Sequence, residues 1–329
     1  MLRYLTPFAF LALLPLGGWL GGAWTFSAAL ATPLFLASLD RLLGEDEARP
    51  DARGGAVPRW LARTYVALQL AATAWVAILV ARPISLFEAS GLALSAGVLT
   101  GVFGFVAAHE MIHSRSPRER ALGLTFLGSV FYLHFRISHI YGHHRRAGTM
   151  EDPTTARLGE SLYGFLVRSL VGQVREAWMF EAKRRRTVLG ARNRMILYLA
   201  VEAIFLLVLA LVSWRSLVFL ITTAAIAVIL LESFNYVAHY GLRRELNERL
   251  GPTHSWNSRR RMNNSALFNM GRHSDHHRRM TRSYEALEPV AAAAELPSGY
   301  AGAMLIALVP PLWRKMMDPR AEAVAEMRG

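Results

Sequence analysis

Long apolar segments alternate with shorter basic ones along the chain. From Tyr4 to Leu39 there is no Asp, Glu, Lys or Arg in 36 residues, whereas one membrane-spanning helix needs about 20. Glycines at positions 17, 18, 21 and 22 interrupt this run, which therefore predicts two spans joined by a tight turn. The run is also too long for the apolar region of a cleavable signal peptide, which has about 7–15 residues.

Four further apolar segments bring the expected number of membrane-spanning helices to six. The predicted spans lie at about residues 4–20, 23–40, 62–81, 88–108, 195–214 and 216–237, and the segments 41–61, 109–194 and 238–329 are predicted to be cytoplasmic. There is no sign of a repeat or of a low-complexity linker. We therefore expect a single all-α integral membrane domain over 1–329, with six transmembrane helices and a cytoplasmic helical cap.

The basic residues orient the predicted helices. With the N-terminus inside, the outer loops contain only Arg82 and Arg215 of the 37 Lys and Arg residues, as expected because cytoplasmic segments carry the positive excess. The chain is thus predicted to be a multi-pass protein of the cell (inner) membrane, with both termini in the cytoplasm. Two shorter apolar segments, 121–135 and 296–313, are expected to be interfacial or packed against the bundle, because one is short and the other contains three prolines.

The amino-acid composition limits the kinds of partner and metal site that the chain can have. The chain is 53% hydrophobic and 19% charged, with a net charge of +13. Its basic residues lie between apolar runs rather than on one face of a soluble fold, which argues against a nucleic-acid partner. There is no cysteine, which excludes thiolate zinc sites, iron–sulfur clusters, haem–thiolate chemistry and cysteine nucleophiles. Any metal must therefore be bound by His, Asp or Glu.

Nine of the eleven histidines fall into four groups, and the other two are His134 and His254. Spacings of three and four residues place side chains on one helical face, so each group can form part of a metal site. All four groups follow or end a predicted span on the cytoplasmic side and can meet at one membrane edge. The groups are His109/His113, His139/His143/His144, His239 and His273/His276/His277.

Nine imidazoles indicate two metal ions, shared as four and five, because a single zinc ion uses three or four protein ligands. Imidazole binds zinc, copper, iron and nickel alike, so the ligands do not identify the element. His109 to His113 also reads HExxH, the signature of zinc proteases. An intramembrane metalloprotease needs only one further ligand, however, and would leave six or more clustered histidines without a role. A metal transporter or sensor would instead place acids or histidines midway through several spans.

Seven motifs resemble those of the integral-membrane alkane 1-monooxygenases, relatives of the membrane fatty-acid desaturases. They keep the family's order across nearly the whole chain, and three of them, at 235–242, 272–279 and 296–320, favour the hydroxylase branch over the desaturases. The motifs are LDRLLGEDEARP at 39–50, HEMIHSR at 109–115, LHFRISHIYGHHRRAGTMEDP at 133–153, NYVAHYGL at 235–242, HSWNS at 254–258, RHSDHHRR at 272–279, and LPSGYAGAMLIALVPPLWRKMMDPR at 296–320.

The resemblance implies a non-haem di-iron site bound by the nine grouped histidines. Such a site uses O2 and two electrons to insert one oxygen atom into an unactivated C–H bond, here expected at the terminal carbon of a medium- or long-chain alkane. In that family the electrons come from rubredoxin and its reductase, and a chain without cysteine must receive them from a separate protein. The alternatives that share this cofactor are a desaturase and a hydroxylase of fatty acyl chains or aromatic methyl groups.

Four positions depart from the family pattern. Ser138 and Ala238 each stand where the family usually has Glu before a histidine, Ser114 replaces the usual Lys after HExxH, and Gly271 replaces the usual Gln. None removes a proposed ligand, but missing carboxylates alter the groups that orient the imidazoles.

Other residues are candidates for supporting the imidazoles or for contacting the substrate. Glu232 lies inside the sixth span, where an acid is costly unless it has a partner. It shares a helix face with Asn235 and His239, so either Glu232 or Asn235 could accept the imidazole N–H, and the alternative for Glu232 is a structural hydrogen bond between helices. Aromatic residues of the second span are candidates for an apolar substrate channel that opens to the bilayer. The basic clusters at 183–186 and 259–261 suit either an acidic electron carrier or anionic lipid. The supporting candidates are Glu110, Glu232, Asn235, Asp275 and Asp152, and the channel candidates are Trp24, Phe26 and Phe35.

Overall fold

A computed structural model describes residues 2–46, 59–190 and 192–327, and these are mostly helical. The longer helices are separated by turns and by short helical segments, of which Ser138–His143 is π-helical. Two short strands, β1 (Trp256–Asn257) and β2 (Ala294–Glu295), pair in parallel. The helices are α1 (Thr6–Leu20), α2 (Ser27–Leu42), α3 (Arg59–Ala81), α4 (Leu86–His113), α5 (Pro117–Ser129), α6 (Leu162–Arg185), α7 (Arg194–Val212), α8 (Trp214–His239), α9 (Arg261–Ala266), α10 (His273–Arg278), α11 (Tyr300–Ala307) and α12 (Pro310–Glu326).

Five helical segments of the described chain are long and apolar enough to cross a membrane, judged by length and composition. They coincide with five of the six predicted spans, so the chain is a multi-pass helical membrane protein. The remaining predicted span, 4–20, corresponds to α1, which has 15 residues and is about 22 Å long. That is shorter than the hydrocarbon core of about 30 Å. The five segments are Gly22–Leu42, Trp60–Ala81, Leu86–His113, Arg194–Val212 and Trp214–His239.

Contacts between Cα atoms divide the chain into two compact units. Unit 1 comprises Met1–Phe35, Pro58–Arg136 and Ala177–Leu231. Unit 2 comprises Leu36–Val57, Ile137–Glu176 and Glu232–Gly329. By this division, seven of the nine grouped histidines belong to unit 2, and His109 and His113 belong to unit 1.

Unit 1 contains most of the membrane-spanning length. Among the candidate spans, α4 is the most enclosed, since 78% of its most apolar 18-residue stretch is buried. A Cβ atom added to Gly97 of α4 would lie 2.7 Å from Cβ of Ile226 in α8, so the small residue permits close helix packing. Gly21 and Gly22 both have positive φ, 68° and 55°. The predicted glycine turn between α1 and α2 is therefore confirmed.

Unit 2 is built around the last two turns of α8. The ring of Trp313, in α12, lies 5.5 Å from that of Tyr236 and 5.3 Å from that of Tyr240. The Tyr240 hydroxyl donates to Oδ1 of Asp318 at 2.6 Å. The buried guanidinium of Arg244 donates to the backbone oxygen of Ala147 at 2.7 Å, which ties the segment after α8 to the segment after His144. These contacts fix the backbone on both sides of the histidines.

Candidate metal centre

One group of four histidines lies entirely within unit 2. Its candidate ligand nitrogens are all within 4.8 Å of one another, and all four side chains are buried. His239 ends α8, the π-helical turn supplies the second histidine, and α10 supplies two more that are four residues apart and share one face. The group is His143, His239, His273 and His277.

The nitrogen contacts in this group exceed what hydrogen bonds can satisfy. Nε2 of His273 lies 3.2 Å from Nε2 of His239 and 3.1 Å from Nε2 of His277. A ring nitrogen either donates one hydrogen or accepts through one lone pair, so the central nitrogen cannot form good bonds to both neighbours. Two nitrogens bound to one metal at about 2.1 Å lie roughly 3.0–3.4 Å apart. The spacing is therefore that of ligands around an ion.

A second set of three histidines in unit 2 shows the same arrangement. Nε2 of His144 lies 3.0 Å from Nε2 of His139 and 3.2 Å from Nε2 of His276. His139 and His144 are five residues apart and meet because Ser138–His143 is π-helical, with i→i+5 hydrogen bonds and a wider turn. The α-helical spacing had predicted that His139 and His143 act together. The structure instead assigns His143 to the other set.

Unit 1 carries the remaining pair. His109 and His113 occupy the last two turns of α4, one helical turn apart, and their Nε2 atoms are 3.2 Å apart. Both side chains are less than one-tenth exposed. The two imidazoles of HExxH therefore meet on one face of the helix, and Glu110 between them is only partly buried.

The best-supported imidazole is that of His143. Its Nδ1 lies 2.8 Å from Oδ2 of Asp152 and 2.6 Å from Oγ1 of Thr154, while its Nε2 is buried with no hydrogen-bond partner. A carboxylate on one ring nitrogen fixes the tautomer and leaves the other nitrogen to bind metal. Burial alone would raise the pKa of Asp152, but the charge and hydrogen bond of His143 and the Thr155 hydroxyl hold that pKa below its usual value. This donor set fits a metal bound by nitrogen.

His239 is oriented differently from the sequence expectation. Glu232 and Asn235, on the same helix face, were candidates to accept its N–H group, with a structural hydrogen bond between helices as the alternative for Glu232. Its Nδ1 lies instead 3.2 Å from the backbone oxygen of His254, and His254 is itself held by the Gly251 N–H, which donates to its Nδ1 at 2.7 Å. The segment after α8 therefore orients this imidazole through a backbone carbonyl.

The other supporting candidates have partners of their own. Glu232 is fully buried and accepts hydrogen bonds from Ser169 Oγ at 2.6 Å and Asn235 Nδ2 at 3.3 Å. Asp275 is adjacent to the ligand histidines in sequence, but its Oδ2 accepts from Arg282 and from the Glu288 N–H, each at 3.0 Å. The carboxylate thus stabilises the segment after α10 rather than an imidazole.

The channel candidates are spread over the turn before α2, which holds Trp24 and Phe26, and the middle of α2, which holds Phe35. Trp24 and Phe35 are 58% and 54% exposed, a degree of exposure that suits contact with lipid. Phe26 is half-buried and its ring lies 4.9 Å from that of Phe87. The structure does not bring the three side chains together around one described cavity.

Gly271 is the departure that the structure explains best. A Cβ atom there would lie 2.2 Å from Oδ1 of Asn264 and 2.7 Å from the backbone oxygen of Ser258. The loop that precedes α10 is therefore built around glycine and has no room for the family's usual Gln. Ser138 and Ala238 are both fully enclosed.

Three residues that hold the site were missed from the sequence. They are Thr154 and Thr155, whose hydroxyls donate to Asp152 at 2.8 and 2.7 Å, and His254, which acts through its backbone. The Asp-Pro-Thr-Thr string at 152–155 was a usable signal, because Thr next to Asp often bonds its carboxylate. A backbone carbonyl leaves no such signal.

Comparison with known proteins identifies the family. The fatty acid desaturase family matches residues 86–305. Alkane 1-monooxygenase 1 of Pseudomonas aeruginosa is 38% identical over 91% of this chain and 84% of its own length. Alkane 1-monooxygenase 2 of Alcanivorax borkumensis is 34% identical over 88% of this chain and 80% of its own. The xylene/toluene monooxygenase hydroxylase component XylM of Pseudomonas putida is 31% identical over 69% and 62%, respectively.

Matches of this extent cover the four histidine groups and the helices that carry them. The sequence motifs, the clustered imidazoles and the relatives agree on the kind of protein. The chain belongs to the fatty acid desaturase family and, within it, to the alkane 1-monooxygenases, which are oxidoreductases.

Proposed function

We propose that this chain is a di-iron monooxygenase that hydroxylates a hydrophobic substrate supplied by the bilayer. The proposed reaction is at the terminal carbon of a medium- or long-chain alkane. The observation that carries the proposal is the pair of imidazole sets in unit 2, each with one Nε2 atom in contact with two others. The names of the relatives at 34–38% identity supply the substrate class.

The nine grouped histidines are the proposed iron ligands. The set of four in unit 2 would hold one ion. The set of three in unit 2 would contribute to the second ion. The HExxH pair of unit 1 completes the nine ligands that the sequence and the family resemblance lead us to expect. When bound, the two irons supply the O2 activation that an unactivated C–H bond requires. The element itself rests on the family.

The side chains of the protein then have geometric tasks. The Asp152 and His254 contacts fix two imidazole rings, and burial of the ligands excludes water from their surroundings. No histidine is needed as a general base, because all nine in the groups are committed to metal. An alkane offers no hydrogen-bonding group, so recognition must come from apolar shape, with Trp24, Phe26 and Phe35 as candidates.

Electrons must come from another protein, since the chain has no cysteine with which to bind a rubredoxin-type iron. We propose a rubredoxin-type donor with its reductase, acting from the cytoplasm. In this proposal both termini and the metal-bearing cap lie on the cytoplasmic side of the inner membrane, in agreement with the distribution of basic residues. Termini on the same side require an even number of crossings, so α1, with 15 residues, would be the first of six.

A hydroxylase of aromatic methyl groups is the second candidate. It is favoured by one specific observation, the 31% identity to XylM, whose name assigns it to xylene and toluene. It would use the same histidines, so the two candidates differ only in substrate.

Product analysis tests the proposal. The purified, iron-loaded protein would be supplied with rubredoxin, its reductase and ¹⁸O2, and offered an n-alkane, an alkylbenzene and an acyl lipid in separate reactions. We expect a labelled primary alcohol from the alkane. A labelled benzylic alcohol alone would support the second candidate, and an alkene without alcohol would contradict both and identify a desaturase.

A further inference from the structure

Helix α6 is not among the five candidate spans, yet its exposed face is apolar. Four side chains on this face are separated by four, four and three residues and therefore form one stripe along the helix. Their exposed fractions are 55%, 68%, 66% and 41%, and a helix that faces water would place polar residues there. We call these residues the α6 stripe: Tyr163, Val167, Val171 and Val174.

The opposite face of α6 buries polar side chains among the apolar side chains of Leu162, Phe165 and Ala177. Ser169 donates from Oγ to Oε2 of Glu232 at 2.6 Å, and Gln173 donates from Nε2 to Oγ of Ser169 at 3.0 Å. All three side chains are at most 1% exposed. A helix that buries polar side chains while its exposed stripe is apolar departs from the water-soluble pattern, and this arrangement is expected where the outer surroundings are lipid.

The Glu232 contact places α6 at a defined level along a spanning helix. Glu232 follows Trp214, the first residue of α8, by 18 positions and therefore lies roughly 27 Å along the axis. That distance is close to the thickness of the hydrocarbon core, about 30 Å. The part of α6 that holds Ser169 thus packs against α8 near the edge of the core. Its outward face at that level must meet the bilayer unless another protein covers it.

A second apolar surface adjoins the stripe. Leu305, Leu308 and Leu312, from α11 and the start of α12, are 46–51% exposed, and we call them the Leu308 patch. The Tyr163 hydroxyl donates to the backbone oxygen of Leu308 at 2.8 Å, which connects stripe and patch. Trp313, next to Leu312, packs against Tyr236 of α8, so the patch lies at the same end of the same spanning helix.

Charged side chains lie at the borders of these surfaces rather than on them. Arg168, on α6, turns away from the stripe and binds Glu160 at 2.7 and 2.8 Å. Arg175, Arg314 and Lys315 are exposed just beyond the stripe and the patch. Basic residues at such borders reach toward the headgroup region and attract anionic lipid.

We propose that the α6 stripe and the Leu308 patch form one lipid-embedded surface of unit 2, carried by helices that enter the membrane interface without crossing it. The α6 stripe lies in a segment that the sequence predicts to be cytoplasmic, and the Leu308 patch lies in 296–313, for which an interfacial or bundle-packed position was one expectation. The combined surface is additional to the five candidate spans. Its occupant is the bilayer, because the helix beneath it is a spanning helix and the polar residues face inward. A second copy of the chain is the competing occupant.

The absence of cysteine from the chain makes a labelling test direct. Single variants Val167→Cys and Val171→Cys would be spin-labelled in nanodiscs that contain phosphatidylglycerol, and the accessibility of each label to O2 and to a water-soluble nickel chelate would be measured. Leu207→Cys, on the exposed side of α7, is the lipid-facing reference. Glu322→Cys, exposed on α12, is the water-facing reference. Size-exclusion profiles matching the unlabelled chain confirm that each variant is folded.

We expect both stripe labels to resemble the label at position 207, with high accessibility to O2 and low accessibility to the nickel chelate. The ratio of O2 accessibility to nickel accessibility should differ severalfold from the ratio at position 322. Labels as accessible to nickel as that at position 322 would overturn the proposal. Protection from both reagents, with dipolar broadening between labels on neighbouring chains, would also overturn it and identify a second copy as the occupant.

Discussion

The carboxylate of Asp152 lies 2.8 Å from Nδ1 of His143, and the other ring nitrogen of His143 is buried without a hydrogen-bond partner. Thr154 and Thr155 hold the same carboxylate through their hydroxyls. Asp152 is thus bound from both sides and presents one imidazole in a single tautomer and direction. Such a contact is a positioning device for a metal ligand.

Loss of the Asp152 carboxylate should weaken metal binding. Asp152→Asn keeps the volume but removes the charge that favours the Nδ1–H tautomer, and we expect iron affinity or turnover to fall by about 10–100-fold. Glu151→Gln, an exposed neighbour outside the hydrogen-bond network, is the matched control and should retain both. Iron affinity by competition with a chelator is the measurement. Equal affinity in the two variants would show that Asp152 does not position the ligand.

Single histidine losses should separate the two proposed ions. His143→Ala removes a member of the set of four, and His276→Ala removes a member of the set of three. Because the sets are distinct, each variant is expected to lose about one of two irons and nearly all hydroxylation. His134→Phe, outside both sets, should retain its iron. Full iron content and activity in both alanine variants would disprove the ligand assignment.

The sequence reveals the histidines and the spans, because imidazole spacing and charge-free length are properties of the chain itself. It does not reveal how the imidazoles are divided between sets. His139 pairs with His144 only because the backbone between them is π-helical, and such a turn is not encoded in hydrophobic periodicity. His276 and His277 are neighbours in sequence but point to different sets because adjacent helical residues diverge by about 100°.

Supports that act through the backbone are equally hidden. Glu232 was a candidate partner of His239 because it lies on the same face, with a structural hydrogen bond between helices as the alternative, and the His254 carbonyl contacts the imidazole. Glu232 instead binds Ser169, 63 positions earlier in the chain. Only the fold brings these residues together, so a pattern confined to one helix identifies the buried acid and not its partner.

Enlarging Gly97 should separate α4 from α8. Gly97→Leu would place its side chain into the space of Ile226, whose Cβ would already be 2.7 Å from a Cβ at position 97. Overpacking of this kind typically costs about 1–3 kcal/mol, so the thermal unfolding midpoint should fall. Gly128→Ala, where the nearest neighbour of a new Cβ is 3.7 Å away, is the control. Equal midpoints would mean that the helices do not pack closely at Gly97.

Titration of His134 should contribute to the acid lability of the protein. Burial lowers the pKa of His134 to about 4, against about 6.5 in an unfolded chain. The unfolded state therefore binds the extra proton first, and the contribution of His134 to stability is complete above pH 6.5 and falls as the pH drops toward 4. The full loss is about 3 kcal/mol.

The variant His134→Phe removes this titration and keeps a ring against Tyr132, 4.4 Å away in the native protein. Between pH 7 and pH 4.5, its unfolding midpoint should fall less than that of the native chain. The comparison isolates His134 because the metal ligands titrate in both proteins. Parallel pH profiles would show that His134 is not held neutral by burial.

The metal content of the purified protein tests the central claim most directly. Elemental analysis of the detergent-purified chain, normalised to protein by amino-acid analysis, should give about two irons per chain and little zinc, because nine imidazoles suffice for two ions but exceed the needs of one. A single ion per chain, or zinc in place of iron, would contradict the dinuclear iron site.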